Sequence, residues 1–124
     1  MNWQVYSVNG VTSFPYVFFI NNNTGWIGNS PQYFKTTNGG NSWSSYTFAS
    51  FSRPFFLNEN TGYLDGGRFK TTNGGINFFV NAGSGGGFMD YYFENENTGW
   101  AYNGNTIYRS TNSGINWVSG NTLS

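Results

Sequence analysis

The feature that most constrains this chain is a unit written three times in the same order. Asn-Thr-Gly followed by an aromatic residue occurs at 23–26, 60–63 and 97–100, thirty-seven residues apart each time, with Trp26, Tyr63 and Trp100 as the aromatics. A second string follows each: TTNGGNSW at 36–43, TTNGGINF at 71–78 and STNSGINW at 110–117, each preceded by a basic residue, Lys35, Lys70 or Arg109. An apolar run stands before each Asn-Thr-Gly: FPYVFFI, RPFFL and MDYYF. A unit of this length cannot bury its apolar face alone, so copies must stack to make a continuous core.

Each unit divides into four short strands, A to D. Strand A is the apolar run, for example residues 16–20. The Asn-Thr-Gly segment turns the chain, with its glycine expected to supply a backbone conformation that residues with a β-carbon avoid. Strand B is GWIGN, GYLDG or GWAYN, and strand C ends on the basic residue and the hydroxyl residues after it. Strand D is expected to begin at Trp43, Phe78 or Trp117. No segment carries a 3.6-residue period, and Gly and Asn interrupt every candidate helix. The fold class is therefore all-β, with three four-stranded antiparallel blades.

The second string resembles the Asp-box, Ser/Thr-x-Asp-x-Gly-x-Thr-Trp/Phe, of sialidase-like and BNR propeller repeats. The wider blade resembles the repeats of photosystem II assembly-factor-type propellers. The resemblance covers essentially the whole chain and implies a β-propeller. It departs from the motif where Asn38, Asn73 and Asn112 replace Asp, where Ser113 replaces Gly and where Phe78 replaces Trp. Asn keeps the side-chain acceptor that organises such a turn. Thr36, Thr71 and Ser110 are expected to offer hydroxyls to the turn, Gly40, Gly75 and Gly114 to take positive φ, and Trp43, Phe78 and Trp117 to pack across the hairpin. These twelve positions form a folding device in this reading, not a ligand site.

The segment Asn2-Trp3-Gln4-Val5-Tyr6 matches the start of strand D, so the chain is expected to open on an orphan strand. The division is one repeat domain, 1–124: orphan strand and linker 1–14, then blades at 15–51, 52–88 and 89–124. Closed propellers have roughly four to eight blades, and an open blade edge pairs readily with another chain. The expected partner is a second copy, two chains closing a six-blade ring. The candidate association strands carry Trp3, Val5 and Tyr6 at one end and Trp117 and Val118 at the other. An open filament is the alternative if head-to-tail contacts fail to close.

Composition narrows the function classes. Five basic and five acidic residues give zero net charge, so no basic field gathers phosphates and nucleic acid is not an expected partner. With no Cys and no His, thiolate metal sites, Cys nucleophiles and the commonest general base are absent. No apolar run reaches the ~20 residues of a membrane span, and the first residues show no signal-peptide pattern. No cofactor is expected.

A sialidase-like enzyme would need an arginine triad and paired carboxylates. Arg109 is in register with Lys35 and Lys70. Arg53 aligns with Tyr16 and Asp90, and Arg68 with Tyr33 and Ile107, and none forms a recognisable constellation. Glu59 and Glu96 align with Asn22 and look like surface features of the repeat. Asp65, Asp90 and Glu94 form no selected pair. The expected function is thus non-enzymatic binding or assembly, through blade edges and exposed aromatics such as Tyr33, Tyr46 and Tyr102. Protein and glycan ligands, and a structural filament, are the alternatives. Because Trp26, Tyr63 and Trp100 are equivalent, core packing is expected for all three. The resemblance implies an extracellular or cell-surface setting in bacteria.

Overall fold

The computed structural model describes residues 16–81 and 88–122. They form three four-stranded antiparallel sheets in simple meander order. Blade 1 comprises β1 (Tyr16–Phe19), β2 (Gly25–Asn29), β3 (Gln32–Thr36) and β4 (Ser44–Thr47). Blade 2 comprises β5 (Phe55–Phe56), β6 (Gly62–Leu64), β7 (Phe69–Thr71) and β8 (Phe79–Val80). Blade 3 comprises β9 (Asp90–Phe93), β10 (Gly99–Asn103), β11 (Thr106–Ser110) and β12 (Val118–Thr122). Strand D starts one residue after Trp43, Phe78 and Trp117, which leaves each ring on the turn and packed beneath the sheet. The expected orphan strand, with Trp3, Val5 and Tyr6, lies outside the described residues.

Blade 2 is the short one, and its sequence shows why. Between the glycine of strand B and the basic residue of strand C it has two residues fewer than its neighbours. A 3-10 turn at Asp65–Gly67 replaces the ends of both strands. Asp65, Gly66 and Gly67 all take positive φ, at 50°, 72° and 91°. Two glycines in the three positions make that backbone accessible.

The register gives each blade a forward and a rear face, since side chains alternate along a strand. In blade 1, Phe18, Trp26 and Lys35 are paired across the sheet, as are Tyr16, Gly28, Tyr33 and Tyr46. This forward face meets the rear face of blade 2. One core cluster accordingly joins Tyr33, Phe51, Leu64 and Phe69, with Tyr16, Tyr46, Phe48 and Phe78 against it. A second joins Tyr63, Phe88, Tyr91, Phe93 and Ala101, between blades 2 and 3. The core therefore lies between the sheets, as stacked repeats require.

Tyr33 belongs to this core, not to the surface expected of it. It is 1% exposed, its ring stacks on Phe51 at 4.6 Å, and its hydroxyl donates to the Gly75 carbonyl at 2.6 Å. Tyr46 is half-buried beside it, and only Tyr102 is openly exposed.

The glycine of Asn-Thr-Gly has a different role from the one expected. Gly25, Gly62 and Gly99 do not take positive φ. Each sits opposite a strand-A phenylalanine, Phe19, Phe56 or Phe93, and the ring lies flat over it. A β-carbon at Gly62 would be 2.3 Å from the Phe56 ring, and one at Gly99 would be 2.7 Å from Phe93. The residue must be glycine for space. The turn itself is made by Asn21, Asn58 and Asn95, whose side-chain oxygens each accept two backbone N–H groups at 2.8–2.9 Å.

Candidate functional site

The Thr/Ser–Asn turn has one geometry in all three blades. Thr36 Oγ1 donates to Asn38 Oδ1 at 2.9 Å and accepts the Gly40 N–H at 2.9 Å. Thr71 does the same with Asn73 and Gly75, at 2.9 and 3.0 Å. Ser110 repeats it with Asn112 and Gly114, at 3.0 and 2.9 Å. Gly40, Gly75 and Gly114 carry positive φ. The asparagine oxygen also accepts the N–H four residues on, at Ser42, Asn77 and Asn116. Its amide nitrogen donates to the side chain at the same position.

The turn is tied within its own blade to the Asn-Thr-Gly loop, where Gly39, Gly74 and Ser113 donate backbone N–H groups to the carbonyls of Asn23, Asn60 and Asn97. Together, turn and loop make a seat. The strand-B aromatic of the preceding blade fills it. Trp26 is wholly buried. It stacks on Phe56 of blade 2 with ring centres 3.5 Å apart and donates Nε1 to the Gly74 carbonyl at 2.9 Å. Gly75 lies so close that a β-carbon there would be 2.8 Å from Nε1. Tyr63, also wholly buried, stacks on Phe93 of blade 3 at 3.9 Å. Its hydroxyl donates to the Glu96 carbonyl at 2.8 Å and lies 2.9 Å from Ser113 Oγ. Burial of the rings in this joint stabilises the fold, and stacking adds about 0.5–1.5 kcal/mol per pair.

A cation accompanies each aromatic. Lys35, Lys70 and Arg109 lie over Trp26, Tyr63 and Trp100, 5.1–5.7 Å from the ring centres. Lys70 reaches across to blade 3, where Nζ pairs with Glu96 Oε1 at 2.8 Å and donates to Ser113 Oγ at 3.2 Å. Lys35 makes no such ion pair with the equivalent Glu59; burial lowers its pKa, and the Glu59 charge opposes that shift. Glu59 also accepts from Asn21 Nδ2 of blade 1 at 3.2 Å. Glu59 and Glu96 are therefore parts of the joints between blades, which local pattern did not reveal. Burial raises the Tyr33 phenol to about 12, with Tyr46 adding to the shift, and raises Tyr63 in the same direction.

Four other charged groups, Arg53, Asp90, Glu94 and Arg68, are engaged locally. Arg53, itself at φ 48°, donates to the Phe88 and Met89 carbonyls. Tyr91 donates to the Arg53 carbonyl. Asp90 caps the N–H of Tyr91 at 2.8 Å, and Glu94 accepts Trp100 Nε1 at 3.0 Å. Arg68 lies over Phe69. Among the described residues no three acidic side chains come together in a way that would hold a metal ion, and no helix is long and apolar enough to cross a membrane. The strands after Trp43, Phe78 and Trp117 form one edge of each sheet, so Val118, largely exposed, shares its edge position with β4 and β8.

The open surfaces among the described residues include two that bear on binding. A groove of about 720 Å³ runs along the strand-A side, lined by Tyr16, Phe18, Arg53, Phe55, Asp90 and Tyr92 among others. Phe18, Phe55 and Tyr92 are equivalent in the three blades and contact in sequence, at 5.4 and 5.2 Å. The second is the forward face of blade 3. Trp100 is 41% exposed there, not buried like its two equivalents. Tyr92 and Tyr102 flank it in the open.

No protein-family model and no curated protein matches the sequence. Among solved structures the chain is similar to YCF48 bound to a D1 peptide, with a TM-score of 0.64 and 22% identity over 86% of this chain. It is also similar to the GH74 enzyme of Niastella koreensis, with a TM-score of 0.55 and 18% identity over 78% of this chain. It spans 38% of the first of those chains and 20% of the second. The likeness establishes the fold: these three sheets are blades of a β-propeller.

Proposed function

We propose that the chain is a non-enzymatic β-propeller module whose function is assembly with protein partners, beginning with further copies of itself. The supporting observation is the joint. It occurs twice among the described residues, and its forward half occurs a third time, exposed, on blade 3. A surface built like a core contact is a surface that associates. The preferred product is a ring of six blades from two chains. Glu59 and Glu96 are engaged in joints and Arg53 with backbone carbonyls, which counts against glycosidase chemistry at those residues. An extracellular setting is part of the proposal and rests on resemblance to exported propeller repeats. Light scattering on a size-exclusion column, with electron microscopy of the peak, tests the reading. Discrete rings of two chains are expected. A monomer at micromolar concentration overturns assembly, and long fibres replace the ring with the filament.

The strand-A groove favours a second reading, the binding of an extended peptide over Phe18, Phe55 and Tyr92. The similar fold of YCF48, solved with a D1 peptide, supports it. Screening a peptide library against the wild-type chain and against Tyr92→Ala tests it, since hits for this groove must weaken in the variant. A glycan array run alongside separates a sugar ligand from a peptide.

A further inference from the structure

We infer that Asn103 is a site of spontaneous covalent modification, at which the side-chain amide is lost to attack by the backbone nitrogen of Gly104 and an acidic residue takes its place. The structure sets this asparagine apart from two others with the same neighbour. Asn38-Gly39, Asn73-Gly74 and Asn103-Gly104 are the Asn-Gly pairs among the described residues, and a further pair, Asn9-Gly10, lies outside them.

Glycine is the neighbour that permits this chemistry, because no β-carbon shields its nitrogen. Once a base takes the Gly104 amide proton, that nitrogen attacks Asn103 Cγ. The new bond closes a five-membered succinimide, and the bond from Cγ to Nδ2 breaks as ammonia leaves with a proton from water. Water then opens the ring at one of its two carbonyls. Cleavage between nitrogen and Cγ restores the ordinary backbone and gives aspartate. Cleavage between nitrogen and the backbone carbonyl leaves the chain running through Cγ and gives isoaspartate. One water enters and one ammonia departs, with no oxidant and no cofactor.

The reaction needs a side chain free to turn and a glycine N–H that is not tied down. Asn38 has neither. Its Oδ1 accepts from Thr36 Oγ1 and the Ser42 N–H at 2.9 and 3.0 Å, its Nδ2 donates to Ser42 Oγ at 2.8 Å, and Gly39 gives its N–H to the Asn23 carbonyl at 2.9 Å. Asn73 is held in the same way by Thr71 and Asn77, with the Gly74 N–H on the Asn60 carbonyl at 2.8 Å. Asn103 has both freedoms. It ends β10 opposite Thr106, at an exposed hairpin corner, and its side chain makes no hydrogen bond among the described residues. The Gly104 N–H faces only Met89 Sδ, at 3.3 Å, and a thioether is a weak acceptor. Gly104 takes φ 61°, as the first residue of a two-residue hairpin turn can. A β-carbon there would meet nothing within 4 Å, so the corner has room to rotate. The product carboxylate follows Tyr102, whose strand partner Asp90 lines the strand-A groove. A chain of zero net charge thereby gains a negative charge next to that groove.

Incubation of the full chain at mildly alkaline pH, followed by peptide mapping with tandem mass spectrometry, tests this by timing the loss of each amide. Near-ultraviolet circular dichroism confirms that the chain stays folded meanwhile. Asn103 is expected to convert at least about tenfold faster than Asn38 or Asn73, whose turns must first open locally. In denaturing urea the three rates should converge, because each pair is then simply Asn-Gly. Asn103→Gln should abolish conversion at that position without changing the other two, since the longer side chain would have to close a less favourable six-membered ring. Conversion at Asn38 or Asn73 as fast as at Asn103 in the folded chain overturns the inference. So does a folded chain in which Asn103 is as slow as the other two while the urea-denatured chain converts at all three.

Discussion

Trp26 and Trp100 occupy the same place in blades 1 and 3, yet one is core and the other is surface. Each stands opposite a cation on strand C, Lys35 or Arg109. Trp26 is closed over by Phe56 and donates to the backbone of blade 2. Trp100 turns its N–H to Glu94 of its own blade and leaves its ring open. The side chain and its cation supply only half of a core. The other half comes from the next blade's phenylalanine, glycine pair and loop. In a stacked fold burial is a property of the neighbour as much as of the residue.

The largest effect that separates the two positions is on stability. Trp26→Ala is expected to cost about 3–5 kcal/mol, as for other fully buried tryptophans, whereas Trp100→Ala should change the stability of the dilute chain by less than about 0.5 kcal/mol. Urea unfolding at low protein concentration measures both, and similar losses would break the distinction. Next comes the seat. Thr71→Val keeps the side-chain shape but removes the acceptor of the Gly75 N–H, at a cost of about 1–3 kcal/mol. Trp26 fluorescence should shift to the red as the seat loosens.

The third effect depends on pH and belongs only to the filled joints. Tyr33 holds its proton to about pH 12 in the folded chain, above the ~10 of an unfolded tyrosine. Its contribution to stability is therefore complete below about pH 10 and is lost as pH rises towards 12. Tyr63 and Tyr91 are raised too and act in the same sense. Lys35, lowered by burial, acts in the opposite sense but is one group against three. Thermal melts from pH 8 to 12, roughly, should fall above 10, and Tyr33→Phe should flatten that fall. The smallest effect is the ion pair. Glu96 is 59% exposed, so Lys70→Gln is expected to cost at most about 1 kcal/mol. Much of that difference should vanish at molar salt. Arg109→Gln in the dilute chain should cost less.

What the sequence made legible was the part written locally. The repeat, the four strands per unit and the hydroxyl–Asn turn each lie within a few residues, so pattern and turn chemistry suffice to find them. The joints were not legible. They bind Trp26 to Gly74 and Lys70 to Glu96, across spans that no periodicity within one unit records. Tyr33 seemed a surface residue because its equivalents are Arg68 and Ile107, so the repeat offered no core signature there. Gly25, Gly62 and Gly99 were expected to serve a backbone angle, when their constraint is a ring lying across the strand. Two signals did stand in the chain. The second string is spaced unevenly while the first recurs at a constant thirty-seven residues, which marks the shortened hairpin of blade 2. An asparagine at 21, 58 and 95 marks the residue that actually makes the first turn.

The seat and its filling side chain lie at opposite faces of each blade, and this has a consequence for how such chains lengthen. A tandem duplication of one thirty-seven-residue unit copies a donor and an acceptor together, so the new boundary is as well matched as the old ones. Deletion of a unit heals in the same way. Recombination can therefore change the number of blades without inventing a contact, and the closing geometry alone decides which counts survive.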